Sequence, residues 1–529
     1  MLSNKFMMQK HLKIFFLILF GTFFLANNSL AYGNHQPLEI IAPKEAGTGN
    51  PAIPSTHRVF RAYPGIQYEF KAQVIGGTYP YVFSLSNAPE GMTIDRKTGV
   101  IIWPNPQQDA NDIQITVHDK NGTSISSTWD IDVTTNGFIF VDANAQDGGN
   151  GTLNSPYNKI NDFSSRNATD IVCFREGTYN LPVRGDYTVG NASGYVWSSP
   201  TDAPHKWIAY PGEDVTIDLT NNRLFYGAPS DASFYFEGLR FYRGREYFFR
   251  SSSSANYATF YNCVFDTLTL ERTNYNSNQG AYFTMHSGVG YYLVFQNCRF
   301  TGFRGPQAIG SIYDNVKILV ENCTVDDFVR PEDSATNQVM AFKVCIRNLT
   351  FRRNEIILPE NSSYGIMGGS TNSLLGFDSV HGNVDSQDIE ISYNHFRNYA
   401  DSEMIRLNSA DETKRTWFYR NTISTGKLVM RGLEYPDDCD GPWYFENNVF
   451  QNSDRGISYH YSSSPDAYQC IGTHSNNLGE SSGLVNSGGF LINRDLVGTY
   501  GWEIAESEYW NDGEADVTSP SSPTGLSVS

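Results

Sequence analysis

FYNCVF (Phe260–Phe265), FQNCRF (from Phe295), VENCTV (from Val320), FRRNEI (from Phe351), ISYNHF (from Ile391), FYRNTI (from Phe418), FENNVF (from Phe445) and THSNNL (from Thr473) are copies of one six-residue phrase. A weaker copy, FEGLRF, begins at Phe236. The fourth residues are Leu239, Cys263, Cys298, Cys323, Asn354, Asn394, Asn421, Asn448 and Asn476, separated by 24, 35, 25, 31, 40, 27, 27 and 28 residues. A recurrence of that size, written in β-branched and aromatic residues, is the signature of a solenoid whose coils stack strand on strand. Uneven spacing assigns the differences in length to loops that leave a common coil. Those loops form the expected binding face.

A second strand lies between successive phrases. It reads AYFTMHS (from Ala281), VMAFKV (from Val339), LLGFDSV (from Leu374), EMIRLNS (from Glu403), KLVMRGLE (from Lys427) and GISYHYS (from Gly456). Successive side chains of a strand point to opposite faces. With Phe283/Met285, Met340/Phe342, Leu375/Phe377, Ile405/Leu407 and Ile457/Tyr459 inside, the outward set includes His286, Lys343, Asp378, Arg406, Asn408, Arg431 and His460. These groups, on neighbouring coils, are close enough to act on one sugar. The phrase's own cysteines fall at equivalent positions, so Cys263, Cys298 and Cys323 are read as a buried thiol ladder that asparagines continue. A Cys298–Cys323 disulfide is the alternative. Seven cysteines in all leave at least one outside any intrachain pairing.

The chain has 529 residues, too many for one ordinary core. Lys10, His11 and Lys13, the apolar run Ile14–Leu25 and then Ser29-Leu30-Ala31 have the order of a secretory signal cleaved after Ala31. The expected organisation is a signal peptide at 1–31, a Pro/Gly/Ala-rich linker at 32–57, a β-sandwich at 58–135, the solenoid at 138–510 and an unstructured tail at 511–529. The mature product is expected to be secreted (extracellular, periplasmic or on the cell surface), monomeric and not inserted in a membrane. A net charge of −18 with no basic arm argues against nucleic acid as a partner. An acidic polysaccharide remains compatible, because a cleft can be basic on an acidic protein.

Two resemblances sharpen this reading. APEGMTIDRKTGVIIW (Ala88–Trp103), within five alternating strand candidates between Val59 and Val133, resembles the Ig-like and cadherin-like modules of bacterial surface proteins. That implies a spacer or a sugar-binding accessory. FIFVD (Phe138–Asp142) with GGNGTLNSP (Gly148–Pro156), then CFREGTY (Cys173–Tyr179) and WIAYPGEDVTI (Trp207–Ile217) look like the first coils of pectin-lyase-like right-handed parallel β-helices. The fold class is therefore all-β, a right-handed parallel β-helix preceded by a small Ig-like β-sandwich.

Asp401-Ser-Glu403-Met-Ile-Arg-Leu-Asn408 and, one coil later, Leu428-Val-Met-Arg431-Gly resemble the polysaccharide lyase family of alginate lyases and chondroitinase B. That family's pattern is an acidic residue, a spacer, Glu, then four residues to a catalytic Lys, with a catalytic Arg on the next coil. The resemblance implies Asp401 and Glu403 as Ca²⁺ ligands and Arg431 as the catalytic Arg. The Lys position holds Asn408, which accepts no proton. A base then has to come from elsewhere, with Lys343, His381, His460 or a tyrosine as candidates.

The catalytic candidates are accordingly Arg431, Lys343, Arg406, Asp378 and His460. His286, Asn408, Glu434 and His381 are the candidate substrate contacts. Two rival readings stay open. One is a glycoside hydrolase acting on an acidic polysaccharide such as a carrageenan, which needs two carboxylates facing across the bond and can draw on Asp378, Asp401, Glu403 and Glu434. The other is a non-catalytic glycan-binding surface or adhesion protein, since one fold hosts both classes.

Overall fold

In the computed structural model the described residues lie between 35 and 505, excluding 50–51, 161–166, 168, 182–194, 198–205, 227–231, 246, 252–254, 270–280, 286–289, 304–306, 313–314, 328–337, 344–346, 358–372, 379–385, 398–404, 409–412, 425–427, 432–442, 451–456, 460–470 and 487–490. The signal and tail read from the sequence lie outside them.

The N-terminal unit is a small sandwich. One sheet has the order Arg61–Ala62, Ser124–Val133, Ala110–His118, Val82–Ser86, and the other Tyr68–Lys71, Val100–Trp103, Thr93–Ile94. Its long strands alternate as a half-buried sheet should: Ile113, Ile115 and Val117 are buried, whereas Gln114, Thr116 and His118 are not. One boundary differs from the expectation. Within the stretch read as a linker, Glu39–Ala42 pairs antiparallel with Gln73–Ile75, and Leu38, Ile40, Ile41 and Ile53 join the core. A four-residue strand among prolines and glycines is too short to show its period in sequence.

From Phe138 the chain winds into a right-handed parallel β-helix with three ladders. Sheet A runs in parallel from Phe138–Val141 to Ile471–Ser475, and among the described residues it has 12 strands. The remaining strands form two ladders joined through the long strand Val215–Tyr226, which pairs with Gly177–Asn180 in one and Tyr195–Trp197 in the other. Sheet B follows each phrase, ending at Leu478–Gly479. Sheet C carries the second strand of each coil, ending at Ile457–Tyr459.

The repeated phrase is the corner between sheets A and B. Its third residue is left-handed in every copy: Gly238, Asn262, Asn297, Asn322, Arg353, Tyr393, Arg420, Asn447 and Asn476 have φ between 52° and 70°. Asparagine tolerates that conformation better than most side chains, which explains its frequency there. The fourth residue points inward and donates to the carbonyl of the first residue of the preceding phrase. Cys298 Sγ reaches Phe260 O at 3.3 Å, and Asn354, Asn394, Asn421 and Asn448 Nδ2 reach Val320, Phe351, Ile391 and Phe418 O at 2.9 Å. Each asparagine Oδ1 in turn accepts the backbone N–H of the preceding ladder residue, from Cys323 onward. The ladder of thiols continued by asparagines is thus observed, and Cys173, Cys263, Cys298 and Cys323 are free thiols.

The last copy needs a correction of one residue. Asn477, not Asn476, donates to Phe445 O and accepts from Asn448 N. The register slips between Trp443 and Tyr444, which pair with Ile471 and Thr473. That bulge moves the phrase to His474–Gly479.

Inside, the first and sixth residues of the phrase form stacks. Phe236, Phe260 and Phe295 lie 5.3 and 4.8 Å apart, and Phe241, Phe265 and Phe300 lie 5.5 and 5.0 Å apart. Offset aromatic stacks of this kind add to the stabilisation from burial itself.

The sandwich packs directly on the outer face of sheet A. Tyr235, Tyr257, Tyr292, Leu319, Trp417 and Tyr419 of the helix share one continuous apolar core with it. Polar contacts seal the junction: Gln296 Nε2 donates to Ala72 O at 3.0 Å, Tyr261 Oη to Glu69 Oε1 at 2.5 Å and Lys317 Nζ to Glu39 at 2.6 Å. Arg352 crosses it, donating to Val74 O and Tyr81 Oη at 2.8 Å each.

Candidate functional site

Sheet A lies under the sandwich. Sheet B carries ion pairs between neighbouring coils, such as Arg299–Asp326 at 2.7 Å and Arg397–Glu355 at 2.9 Å. Toward the C-terminus it is also crossed by a returning segment. Trp502 stacks on His395 at 5.0 Å, and its N–H donates to Thr422 Oγ1 at 3.2 Å.

Sheet C is built differently. Its register aligns two apolar rows. One contains Ile309, Met340, Leu375, Ile405, Leu428 and Ile457, and the other Phe342, Phe377, Leu407, Met430 and Tyr459. The period-two register inferred from the sequence therefore holds from Gln338–Lys343 onward, after a bulge in Gln307–Ile312. The row between them is Ala341, Gly376, Arg406, Val429 and Ser458, small residues apart from Arg406 and Val429.

The row that follows holds ionisable candidates read from the sequence. Lys343 is the register partner of Asp378, and Asn408 that of Arg431. Asp378 and Asn408 directly follow the paired Phe377 and Leu407. All four end their strands: Gln338–Lys343, Ser373–Asp378, Ile405–Asn408 and Leu428–Arg431. With strands about 4.8 Å apart, the four Cα positions extend over roughly 14 Å. By register these four positions form one row across four consecutive coils, with Arg406 two residues before Asn408 in its strand.

Of the sequence-derived candidates, the structure brings Lys343, Asp378, Arg406, Asn408 and Arg431 together. His286 directly follows strand Ala281–Met285 and His460 directly follows Ile457–Tyr459, but both lie outside the described residues. So do His381, Asp401, Glu403 and Glu434. The Ca²⁺ expectation falls on two of them. Among the described residues, no group of three His, Cys, Asp or Glu side chains could hold a metal ion.

One cluster on sheet B was not singled out by sequence. His395 Nε2 lies 2.9 Å from Ser424 Oγ, and its Nδ1 lies 3.7 Å from Glu355 Oε1. This superficially resembles a nucleophile–base–acid arrangement. The Nδ1 distance is too long for a hydrogen bond, Glu355 is held by Arg397, and Trp502 covers the ring. Burial, with Arg397 nearby, depresses the imidazole pKa to about 3. The cluster fastens the C-terminal segment to sheet B.

Comparison with known proteins covers the two units separately. Residues 50–134 match the family described as "Putative Ig domain". No curated protein matches the chain. Among solved structures, a rhamnogalacturonan lyase is similar at 16% identity and a TM-score of 0.35, over 70% of this chain and 98% of its own. Pectate lyase Pel9A is similar at 14% identity and a TM-score of 0.26, over 73% of this chain and 93% of its own. A "putative alpha-galactosidase" from Bacteroides fragilis has 13% identity and a TM-score of 0.17, over 36% of this chain and 39% of its own.

Proposed function

We propose that this protein is an exported, monomeric polysaccharide-degrading enzyme. On this reading it is a lyase that cleaves an acidic polysaccharide by β-elimination on sheet C. The observation that carries the reading is the register row Lys343, Asp378, Asn408 and Arg431, with Arg406 beside it. β-Elimination needs three things: a cation to neutralise the uronate carboxylate, a base for the C5 proton and a proton donor for the leaving oxygen. Arg406 and Arg431 are fixed cations suited to planar carboxylate recognition.

Lys343 fills the vacancy left by Asn408. As a free amine it takes the C5 proton; the C5–H electron pair forms the C4=C5 double bond, the C4–O bond breaks, and the departing oxygen takes a proton from water or from the Lys343 ammonium so formed. A lysine acts this way only with a lowered pKa, which neighbouring cations or burial favour and a neighbouring carboxylate such as Asp378 opposes. Asn408 then serves as a neutral hydrogen-bonding contact. Asp401 and Glu403, just upstream of Ile405–Asn408, have the hard oxygen donors that Ca²⁺ prefers.

The test is incubation with alginate, pectate, chondroitin sulfate and carrageenans, with and without chelator. Ultraviolet absorbance from a new conjugated uronate is the expected result. New reducing ends without that absorbance would replace the lyase by a hydrolase using Asp378, and neither product on the whole panel would overturn the enzyme reading.

A further inference from the structure

The sandwich carries a groove on a different face from sheet C. Between the segment around Glu39–Thr48 and the strands Ala110–His118 and Ser124–Val133 there is an open groove of about 380 Å³. Its floor includes the cross-strand pair Gln114 and Thr128, with Ser126 two pairs away opposite Thr116. Ser126 and Thr128 are exposed. Ser86 Oγ donates to Gln114 Oε1 at 3.0 Å, which fixes the carboxamide oxygen and leaves the amide N–H groups as donors. Ile40 and Ile125 add aliphatic surface, and Glu39, Lys44 and Glu45 line the rim.

The charge balance narrows the ligand. Lys317 holds both oxygens of Glu39, at 2.6 and 2.7 Å, so that carboxylate is neutralised. Lys44 stands 5.6 Å from the Tyr292 ring centroid, with its pKa lowered by burial against the opposing pull of Glu39, Lys317 adding to the fall. The remaining charges, Lys44 and Glu45, offset each other. Such a groove gives a polyanion no net attraction. Its neutral hydroxyls, amide and aliphatic patches match a molecule with hydroxyl edges and C–H faces.

We infer that this groove binds an uncharged saccharide segment, independently of the acidic sugar proposed for sheet C. The experiment is isothermal titration of the full chain with maltohexaose, xylohexaose, mannohexaose and β-1,4-galactohexaose. Thr128→Trp and Ser126→Trp place bulk in the groove at exposed positions, and thermal melting checks that both variants are folded. At least one neutral hexasaccharide is expected to bind, with affinity lowered about tenfold or more by either tryptophan, about 1.4 kcal/mol. Arg431→Ala should leave that binding unchanged. Failure of all four sugars to bind overturns the inference. So does binding that survives both tryptophans in folded protein, or binding lost in Arg431→Ala. None of these results bears on the elimination assay, so the two readings stand or fall separately.

Discussion

Arg352 and Glu321, on adjacent coils of sheet A, form an ion pair at 2.8 Å that is completely covered by the sandwich. The guanidinium lies over the rings of Tyr79 and Tyr81, 4.9 and 4.6 Å from their centroids. Gln296 and Lys71 complete the carboxylate's surroundings at 2.8 and 3.5 Å. Two buried charges are tolerable here because each is paired and hydrogen-bonded.

Arg352→Ala should therefore cost on the order of 3–5 kcal/mol, because it strands Glu321 without its main partner. Chemical denaturation measures the loss. Arg352→Met with Glu321→Gln in the same chain should recover much of it. If Arg352→Ala melts like the parent protein, the junction does not depend on this pair.

The same carboxylate sets an acid limit. Burial alone would raise the Glu321 pKa, but Arg352, Lys71 and the bonds from Gln296 and Arg352 outweigh it and hold it at about 2. The folded-state value lies below the unfolded value near 4.5, so the unfolded chain binds more protons between those limits. The contribution is fully present above about pH 4.5 and is lost as the pH falls toward 2. Melting temperature against pH should show that limb, and Glu321→Gln should flatten it at the cost of lower stability at neutral pH.

Glu237 should act with the opposite sign. Burial raises its carboxyl pKa to about 7, with Arg58 at 3.8 Å opposing the rise and Glu69 adding to it. Between about pH 4.5 and 7 the folded state then holds a proton that the unfolded state releases, so this group's contribution falls as pH rises through that window. Glu237→Gln should remove that decline in a melting series. An unchanged slope would mean that Glu237 does not titrate there.

The inner ladder distinguishes donor from acceptor. Asn421→Cys keeps a weak donor toward Ile391 O but loses the oxygen that accepts from Asn394 N and Nδ2. Asn421→Ala loses both functions and leaves a cavity. Expected losses are about 1–3 kcal/mol for the cysteine and more for the alanine. Equal losses would show that donation to the carbonyl contributes nothing.

At the proposed site, Arg431→Ala and Lys343→Ala should each lower kcat/KM at least about a hundredfold, the usual scale for removing a charge stabiliser or a proton-transfer group. Asp378→Asn should matter less in a lyase and be decisive in a hydrolase. Unchanged turnover in Arg431→Ala would move the site off this row.

Much of the architecture was legible before any coordinates. The inward ladder occupies one position of a recurring six-residue phrase, so the recurrence marks it, although each ladder contact joins successive coils. The pairing of Lys343 with Asp378 and of Asn408 with Arg431 was also within reach, because a parallel ladder converts sequence alternation into shared faces. Asn477 was missed by one residue, since a bulge at Trp443 shifts register without changing the local wording.

What the sequence by itself determined is thus the coil: its repeat, its inward ladder and the strands that bring Lys343, Asp378, Asn408 and Arg431 into neighbouring register positions. Only the tertiary structure decided which faces are left for ligands. It seats the sandwich on sheet A through Arg352, folds Glu39–Ala42 into that unit and brings Trp502 onto His395. Those contacts join residues tens to hundreds of positions apart, and their energy comes from burying side chains against surfaces that exist only once both partners have folded.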